Sequence, residues 1–242
     1  APEPDLHNGY ELRTYGTVPP EGDIPPAMEL NLIRGYRACI TFVDAQIGRV
    51  LDELGRLGLE GRTVVVLWGD HGYHLGENGI WTKMTNFERG TRVPLILSAP
   101  GQASAGRRSG ALVELVDIYP TLAGLCGLSP PEHLEGLSLE PLLEDPDRPW
   151  KSAVFSQYLR PGKGPIMGRS VRTDRWRYTE WTDAREEKVG VELYDERADP
   201  GENVNVAGEA THGAIVSEMA ALLRGGWRGA LPESVRRAGA RE

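Results

Sequence analysis

Residues 63–83, TVVVLWGDHGYHLGENGIWTK, constrain this chain more than any other stretch. The stretch opens on Val64, Val65, Val66, Leu67 and Trp68, an unbroken apolar run rich in β-branched residues and bounded by Gly-Arg before and Gly-Asp after. A run with no polar alternation predicts a strand buried on both faces, as in the sheet of an α/β protein. Asp70 and His71 follow at its C-terminal end, and a Gly-rich polar loop leads on to Lys83. Open α/β sheets bind their ligands outside the carboxyl ends of the strands. A carboxylate, an imidazole and a lysine placed there predict a cation site beside an anion site.

The flanking sequence supplies layers for such a strand. Met28, Leu32, Tyr36, Ile40, Val43, Ile47, Val50, Leu51 and Leu54 recur at intervals of three and four, one apolar face of a long amphipathic helix. Gly58 is placed to end it as a C′ glycine. The opposite face carries Arg37, Asp44, Arg49, Asp52, Glu53 and Arg56, a solvated face by default. Six prolines within residues 1–26 exclude a continuous helix there and predict an extended segment lying over a neighbouring surface. Beyond the Lys83 loop, residues 92–98 predict a second short strand. Residues 117–127 predict a helix with Asp117 as N-cap, Pro120 in the first turn and Gly127 at the end.

Past Trp150 the period changes. Residues 152–158, 168–173, 176–181 and 191–194 read as short strands, with Thr173-Asp-Arg175 as a hairpin turn. They predict an antiparallel sheet closed by an amphipathic helix at residues 214–223, with a Gly- and Arg-rich tail fraying from Arg224. The chain thus divides into residues 1–150 and 151–242.

Composition narrows the partners. A formal charge of −8 provides no basic surplus to neutralise phosphates, which argues against nucleic acid or an anionic membrane. No run of about 18 apolar residues exists, so no transmembrane segment is expected. Cys39 and Cys126 have neither metal nor redox spacing and are expected as two buried thiols, which leaves the compartment open. The opening residues Ala-Pro-Glu-Pro look like the interior of a protein, and the expectation is a piece of a longer polypeptide.

Each candidate residue has a plain alternative. Asp70 offers oxygen donors to a hard cation such as Ca²⁺ or Mg²⁺, or caps the following turn. His71 is a ligand, a general acid/base or a satisfied loop histidine. With His74 it forms an imaginable zinc pair, but the glycines at 72 and 76 oppose a rigid helix holding both. Lys83 holds an anionic oxygen and stabilises charge on a departing alkoxide, or is surface decoration. Glu77, Asn78 and Glu88 serve the loop's own hydrogen bonding equally well, and Arg89 and Arg92 pair with Glu88 or solvent. From the residues alone this is a metal-and-anion site of open chemistry.

Motifs along nearly the whole chain resemble the sulfatase family, within it the iduronate-2-sulfatase-like branch. They are the helix from Tyr36-Arg-Ala-Cys through Ile47-Gly-Arg49, Asp70-His-Gly-Tyr-His-Leu-Gly-Glu77, Trp81-Thr-Lys83, Arg92-Val-Pro-Leu-Ile and Val113-Glu-Leu-Val-Asp-Ile-Tyr-Pro-Thr-Leu122. Ser156-Gln-Tyr158, Arg169-Ser-Val-Arg-Thr173, Arg177-Tyr178, Glu192-Leu-Tyr-Asp195 and Asp199-Pro200 follow. The resemblance implies an α/β fold, the C-terminal part of an alkaline-phosphatase-like sulfatase, followed by a small antiparallel sheet with a packed helix. It implies that Asp70 and His71 ligate Ca²⁺, that Lys83 binds sulfate ester oxygens, and that Tyr73 lies near the substrate. Many sulfatases have Asn at the position of His71.

One departure is informative. Sulfatases make a formylglycine nucleophile from the cysteine of Cys-x-Pro-Ser-Arg, and neither Cys39 (before Ile-Thr-Phe) nor Cys126 (before Gly-Leu-Ser) fits. The resemblance therefore implies a partner: the N-terminal half of the sulfatase, with the nucleophile and further metal ligands. It also implies a sulfated saccharide as substrate. A phosphatase or phosphonate-ester hydrolase of the same superfamily, and a non-catalytic chain binding sulfated glycans, are the alternatives.

Overall fold

The computed structural model describes residues 10–160 and 164–239; the first nine residues of the Pro-rich segment and the last three of the tail lie outside the described residues. In chain order the first region holds α1 (Tyr10–Arg13), α2 (Pro26–Arg56), β1 (Val65–Trp68), β2 (His74–Leu75), β3 (Trp81–Thr82), α3 (Glu88–Thr91), β4 (Leu95–Ser98), α4 (Ile118–Leu125) and α5 (Glu140–Glu144). The second holds β5 (Val154–Arg160), β6 (Ile166–Arg172), β7 (Trp176–Thr182), β8 (Lys188–Asp195), α6 (Gly213–Ala230) and α7 (Glu233–Gly239).

Helix α2 follows its apolar period. Pro26 starts it at a position where the missing N–H costs nothing. Gly58, at φ +65°, ends it in a Schellman motif: its N–H donates to the Gly55 carbonyl at 2.9 Å and Leu59 N–H to that of Leu54 at 3.2 Å. The face is covered best near the start, where Met28, Leu32 and Ile33 pack on Leu12, Val18, Ile24 and Trp81, while Ile47 and Leu54 are half-buried. Farther along, Ile40, Val43, Val50 and Leu51 are exposed.

The Val-rich run differs from expectation in the same way. β1 pairs antiparallel with β4 in a two-stranded sheet, and Trp68 and Ile96 are 46% and 60% exposed. A strand composed for burial on both faces is half-covered, because among the described residues no third strand joins the pair.

The second region contains the larger apolar core. Strands β5 to β8 form an antiparallel meander in sequential order. The expected turn at Thr173 closes with Thr173 N–H donating to the Trp176 carbonyl at 2.9 Å. Alternate residues Val171, Tyr178 and Leu193 bury against Met219 and Ala220 of α6. The tail does not fray at Arg224. Helix α6 bends at Gly226 (φ +67°) and continues to Ala230, which is buried and accepts the Ser152 N–H at 2.9 Å.

Two further expectations are corrected. Asp117 stands at the N-cap position of α4, but its side chain makes no capping bond; the carboxylate is fully buried, accepts the Glu114 and Leu137 N–H groups at 2.9 and 2.8 Å and pairs with Lys151 at 2.8 Å. The ammonium of Lys151 draws it away from the helix end. Cys39 and Cys126 are both exposed, Cys39 on a helix that buries no residue along its length.

A buried ion cluster joins the two regions. Arg177 of β7 contacts Glu88 of α3, Glu196 at 3.3 Å and Glu202 at 2.7 Å, and Arg172 lies 3.4 Å from Glu88 and 3.6 Å from Glu196. Glu202 also accepts the Glu88 N–H at 2.6 Å. Three carboxylates face two guanidiniums in a dry site. Burial, opposed by Arg177 and reinforced by the Glu196 charge, pushes the Glu202 carboxyl up to about 8.

The folded state therefore binds a proton that the unfolded chain releases near the ordinary carboxyl value. The resulting stabilisation is complete at acidic pH and is lost as pH rises from about 4.5 through about 8. Glu202→Gln should flatten this slope: between pH 5.5 and 8 the Tm of the native chain should fall more steeply than that of the variant, by about 3 °C per pH unit. Parallel thermal-unfolding curves against pH would contradict the assignment.

Candidate functional site

The loop after β1 is shaped by close backbone approaches. Gly72 N–H donates to the Gly90 carbonyl at 2.9 Å, and a Cβ on Gly72 would stand 2.0 Å from the Arg89 carbonyl oxygen. Only glycine lets the loop lie against α3 in this way. Glu77 serves the loop, accepting the Leu75 N–H at 2.6 Å, and Arg92 and Arg89 lie 3.6 and 3.9 Å from Glu88 and Glu77. Thr82 is buried at φ +75°, an unusual conformation for a β-branched residue, and it immediately precedes Lys83.

Asp70 and His71 form a pair at the strand end. Asp70 is the more open of the two, and its Oδ1 accepts the His71 N–H at 3.1 Å. His71 Nδ1 lies 2.8 Å from the Gly72 carbonyl. A carbonyl only accepts, so Nδ1 carries the proton, and in the neutral ring Nε2 presents its lone pair. That nitrogen stands 3.6 Å from Asp70 Oδ2. Two donors each about 2.4 Å from one cation, at roughly a right angle, lie about 3.4 Å apart. The spacing fits two ligands of one metal ion, with the second imidazole nitrogen tied to the backbone as ligating histidines usually are. Two donors alone do not make a metal site: among the described residues no group of three or more His, Cys, Asp or Glu could hold a metal.

His74 does not join them. It is fully buried, with Nε2 2.8 Å from Thr85 Oγ1 and its ring edge-on to Phe87, and burial pushes its pKa down to about 4. It is a neutral core histidine, and the zinc pair imagined with His71 does not form.

Lys83 does hold an anionic oxygen, but one of the chain's own. Its Nζ lies 2.5 Å from Glu11 Oε1, a residue of α1. The hydroxyl of Tyr15 reaches the same carboxylate oxygen at 3.5 Å, Tyr73 hydrogen-bonds Tyr15, and the Tyr73 ring stacks on Tyr36 of α2 at 5.1 Å. Burial and these neighbours push the Tyr73 phenol well above its ordinary value, so it stays neutral. The structure thus brings Tyr73 and Lys83 into one network and Asp70 and His71 into a pair. Glu11 and Tyr15 were not singled out in sequence, and Tyr36 only as part of the α2 face and its motif: Glu11 lies 72 positions from Lys83, and no local spacing links them.

The chain resembles known proteins over most of its length. A family model described as sulfatase matches residues 4–128, and one described as the C-terminal part of N-sulphoglucosamine sulphohydrolase matches residues 76–226. Mouse iduronate 2-sulfatase is 31% identical over 89% of this chain and 51% of its own length. An N-acetylglucosamine-6-O-sulfatase of Bacteroides thetaiotaomicron is 32% identical over 79% and 35%. Among solved structures, BT4656, in complex with its substrate D-glucosamine-2-N,6-O-disulfate, superposes with a TM-score of 0.68 at 31% identity, over 76% of this chain and 38% of that one. The phosphonate monoester hydrolase of Silicibacter pomeroyi superposes with 0.78 at 25% identity, over 89% and 44%.

Mixed α/β layers with a loop bearing acid, imidazole and lysine, followed by a small antiparallel sheet, define the alkaline-phosphatase-like sulfatase fold. The chain belongs to the sulfatase family, and iduronate 2-sulfatases are among its relatives. It spans about half the length of those relatives.

The loop geometry sets a test. Gly72→Ala must displace the Arg89 backbone and should cost about 2 kcal/mol or more in urea denaturation. Gly48→Ala, in open space on α2, should be neutral or stabilising by up to about 1 kcal/mol. Equal effects would show that the approach of the loop to α3 is not tight.

Proposed function

We propose that this chain forms the C-terminal part of a Ca²⁺-dependent sulfatase acting on sulfate esters of sugars or glycosaminoglycans. The observation that carries this reading is the 3.6 Å placement of Asp70 Oδ2 against His71 Nε2 at the end of β1, in a chain that sulfatases match along its length. Asp70 and His71 would hold the ion, which when bound supplies positive charge against sulfate oxygens. An ion with six to eight oxygen-rich ligands needs more donors than these two residues give.

Those donors, and the nucleophile that neither cysteine supplies, are assigned to an N-terminal half. The surface for it is the uncovered apolar side of α2 with Trp68 and Ile96 of the β1–β4 pair. A chain half as long as its relatives, with a strand composed for burial and a half-bare long helix, supports that occupant.

Lys83 is the group in this chain that binds the ester. Its ammonium would hold a sulfate oxygen and stabilise the negative charge that grows on the leaving oxygen as the S–O bond breaks. Tyr73, neutral and stacked on Tyr36, gives one wall of the substrate site. Similarity to phosphonate monoester hydrolases favours one second reading, a phosphonate-ester hydrolase with the same loop.

In the protein that includes the N-terminal portion, Lys83→Ala should lower kcat/KM for an aryl sulfate by about 100-fold or more while the Tm stays unchanged. Asp70→Asn should abolish Ca²⁺ binding measured by calorimetry. Undiminished turnover in the lysine variant would remove its role, and faster hydrolysis of a phosphonate monoester than of the sulfate would favour the second reading.

A further inference from the structure

We propose that Glu11 determines specificity: it selects sulfate esters that carry an ammonium group close to the ester, such as sulfated amino sugars with a free amine. The inference rests on Lys83 as the ester-binding group and adds the substrate class.

Charge is the starting point. Lys83 and Glu11, with Nζ and Oε1 2.5 Å apart, cancel one another. A sulfate monoester is an anion at every physiological pH. Placed on Lys83, it stands beside the Glu11 carboxylate, and two anions at that range repel unless a cation joins them. Arg13, on the same short helix, is not that cation, because its guanidinium donates to the Pro19 and Gly22 carbonyls at 2.8 and 2.6 Å.

Glu11 is also held in place. The next residue, Leu12, is 2% exposed and packs with Trp81, two positions before Lys83, in one cluster with Val18 and Ile24. The carboxylate itself is engaged through Oε1 by Lys83 and by the Tyr15 hydroxyl, and an ester that leaves these contacts in place has to match it.

What surrounds the carboxylate suits a cation. Its second oxygen, Oε2, is buried and has no hydrogen-bond donor among the described residues. The Tyr15 hydroxyl meets the carboxylate through Oε1 alone, and Tyr73 is tied to Tyr15. A zwitterionic ester places its sulfate on Lys83 and its ammonium on the Glu11 carboxylate, so every charge is paired.

Glucosamine 6-sulfate and N-acetylglucosamine 6-sulfate test this, since they differ in the charge at one nitrogen. Calorimetric titration uses the protein that includes the N-terminal portion. The free amine should bind about tenfold more tightly than the acetylated sugar, as expected for a charge-assisted hydrogen bond. Glu11→Gln should remove that preference while tightening binding of the acetylated ester. Equal binding by the native protein, or a preference that survives in Glu11→Gln, would overturn the proposal. Choline sulfate separates a hydrogen-bonded ammonium from charge attraction alone: binding comparable to glucosamine 6-sulfate, lost in Glu11→Gln, supports the charge match without an N–H donor. Hydrolysis of both sugars is followed separately, so loss of turnover with the binding difference intact counts against the sulfatase reading and not against Glu11.

Discussion

The buried charges around Arg177 hold this molecule in one piece. Arg177 extends from the four-stranded sheet into contact with Glu88, the first residue of α3, and Glu202 ties down the backbone N–H of that same residue. A guanidinium so placed cannot be left unpaired, and neither can the carboxylates around it. Sheet and helix are thereby fixed relative to each other. The helix in turn fixes the loop, because Gly90 accepts the Gly72 N–H. Asn86 adds a second tie, donating to the Gly168 carbonyl of β6 at 3.2 Å, and Arg160 a third, donating to the Met84 carbonyl at 2.6 Å. The second region thus positions the segment on either side of Lys83, though it contributes none of the residues first singled out as candidates.

The asymmetry between the two regions follows from what covers them. The four-stranded sheet meets α6 and buries Val171, Tyr178 and Leu193 completely. In the first region, α2 buries no residue outright, and the β1–β4 pair leaves Trp68 and Ile96 open. Apolar area of this kind forgoes, while it stays in water, the stabilisation of about 25 cal/mol per Å² that burial would give. It is sensible only in a protein where another layer lies over it, which is the place the proposed N-terminal half would take.

Periodicity made α2, the strand after it and the antiparallel sheet readable in advance, because each is governed by residues a few positions apart. The Schellman ending at Gly58 was equally local. Long-range electrostatics decided the rest. Asp117 looked like an N-cap by position, yet Lys151, 34 positions away, takes its carboxylate. The tail looked frayed by composition, yet Ala230 is buried and bonded to Ser152. At the site, adjacency was legible and company was not. Asp70 and His71 are neighbours in sequence and in space, whereas Glu11 reaches Lys83 through a fold contact that no motif records.

That last contact changes how the lysine should be understood. A lone ammonium at a strand end attracts any anion, and so discriminates poorly among sulfate esters, all of which carry the same head group. Specificity has to come from what lies beside it. Thr82, held at φ +75°, keeps the neighbouring backbone in a conformation that a β-branched residue does not adopt unaided, and Leu12 is buried with Trp81 on the other side. The packing of Leu12 on Trp81 thus brings Glu11 and Lys83 together in addition to their mutual attraction. An ion pair held in this way would present a fixed dipole to the proposed ester, and a fixed dipole favours a substrate with the opposite one.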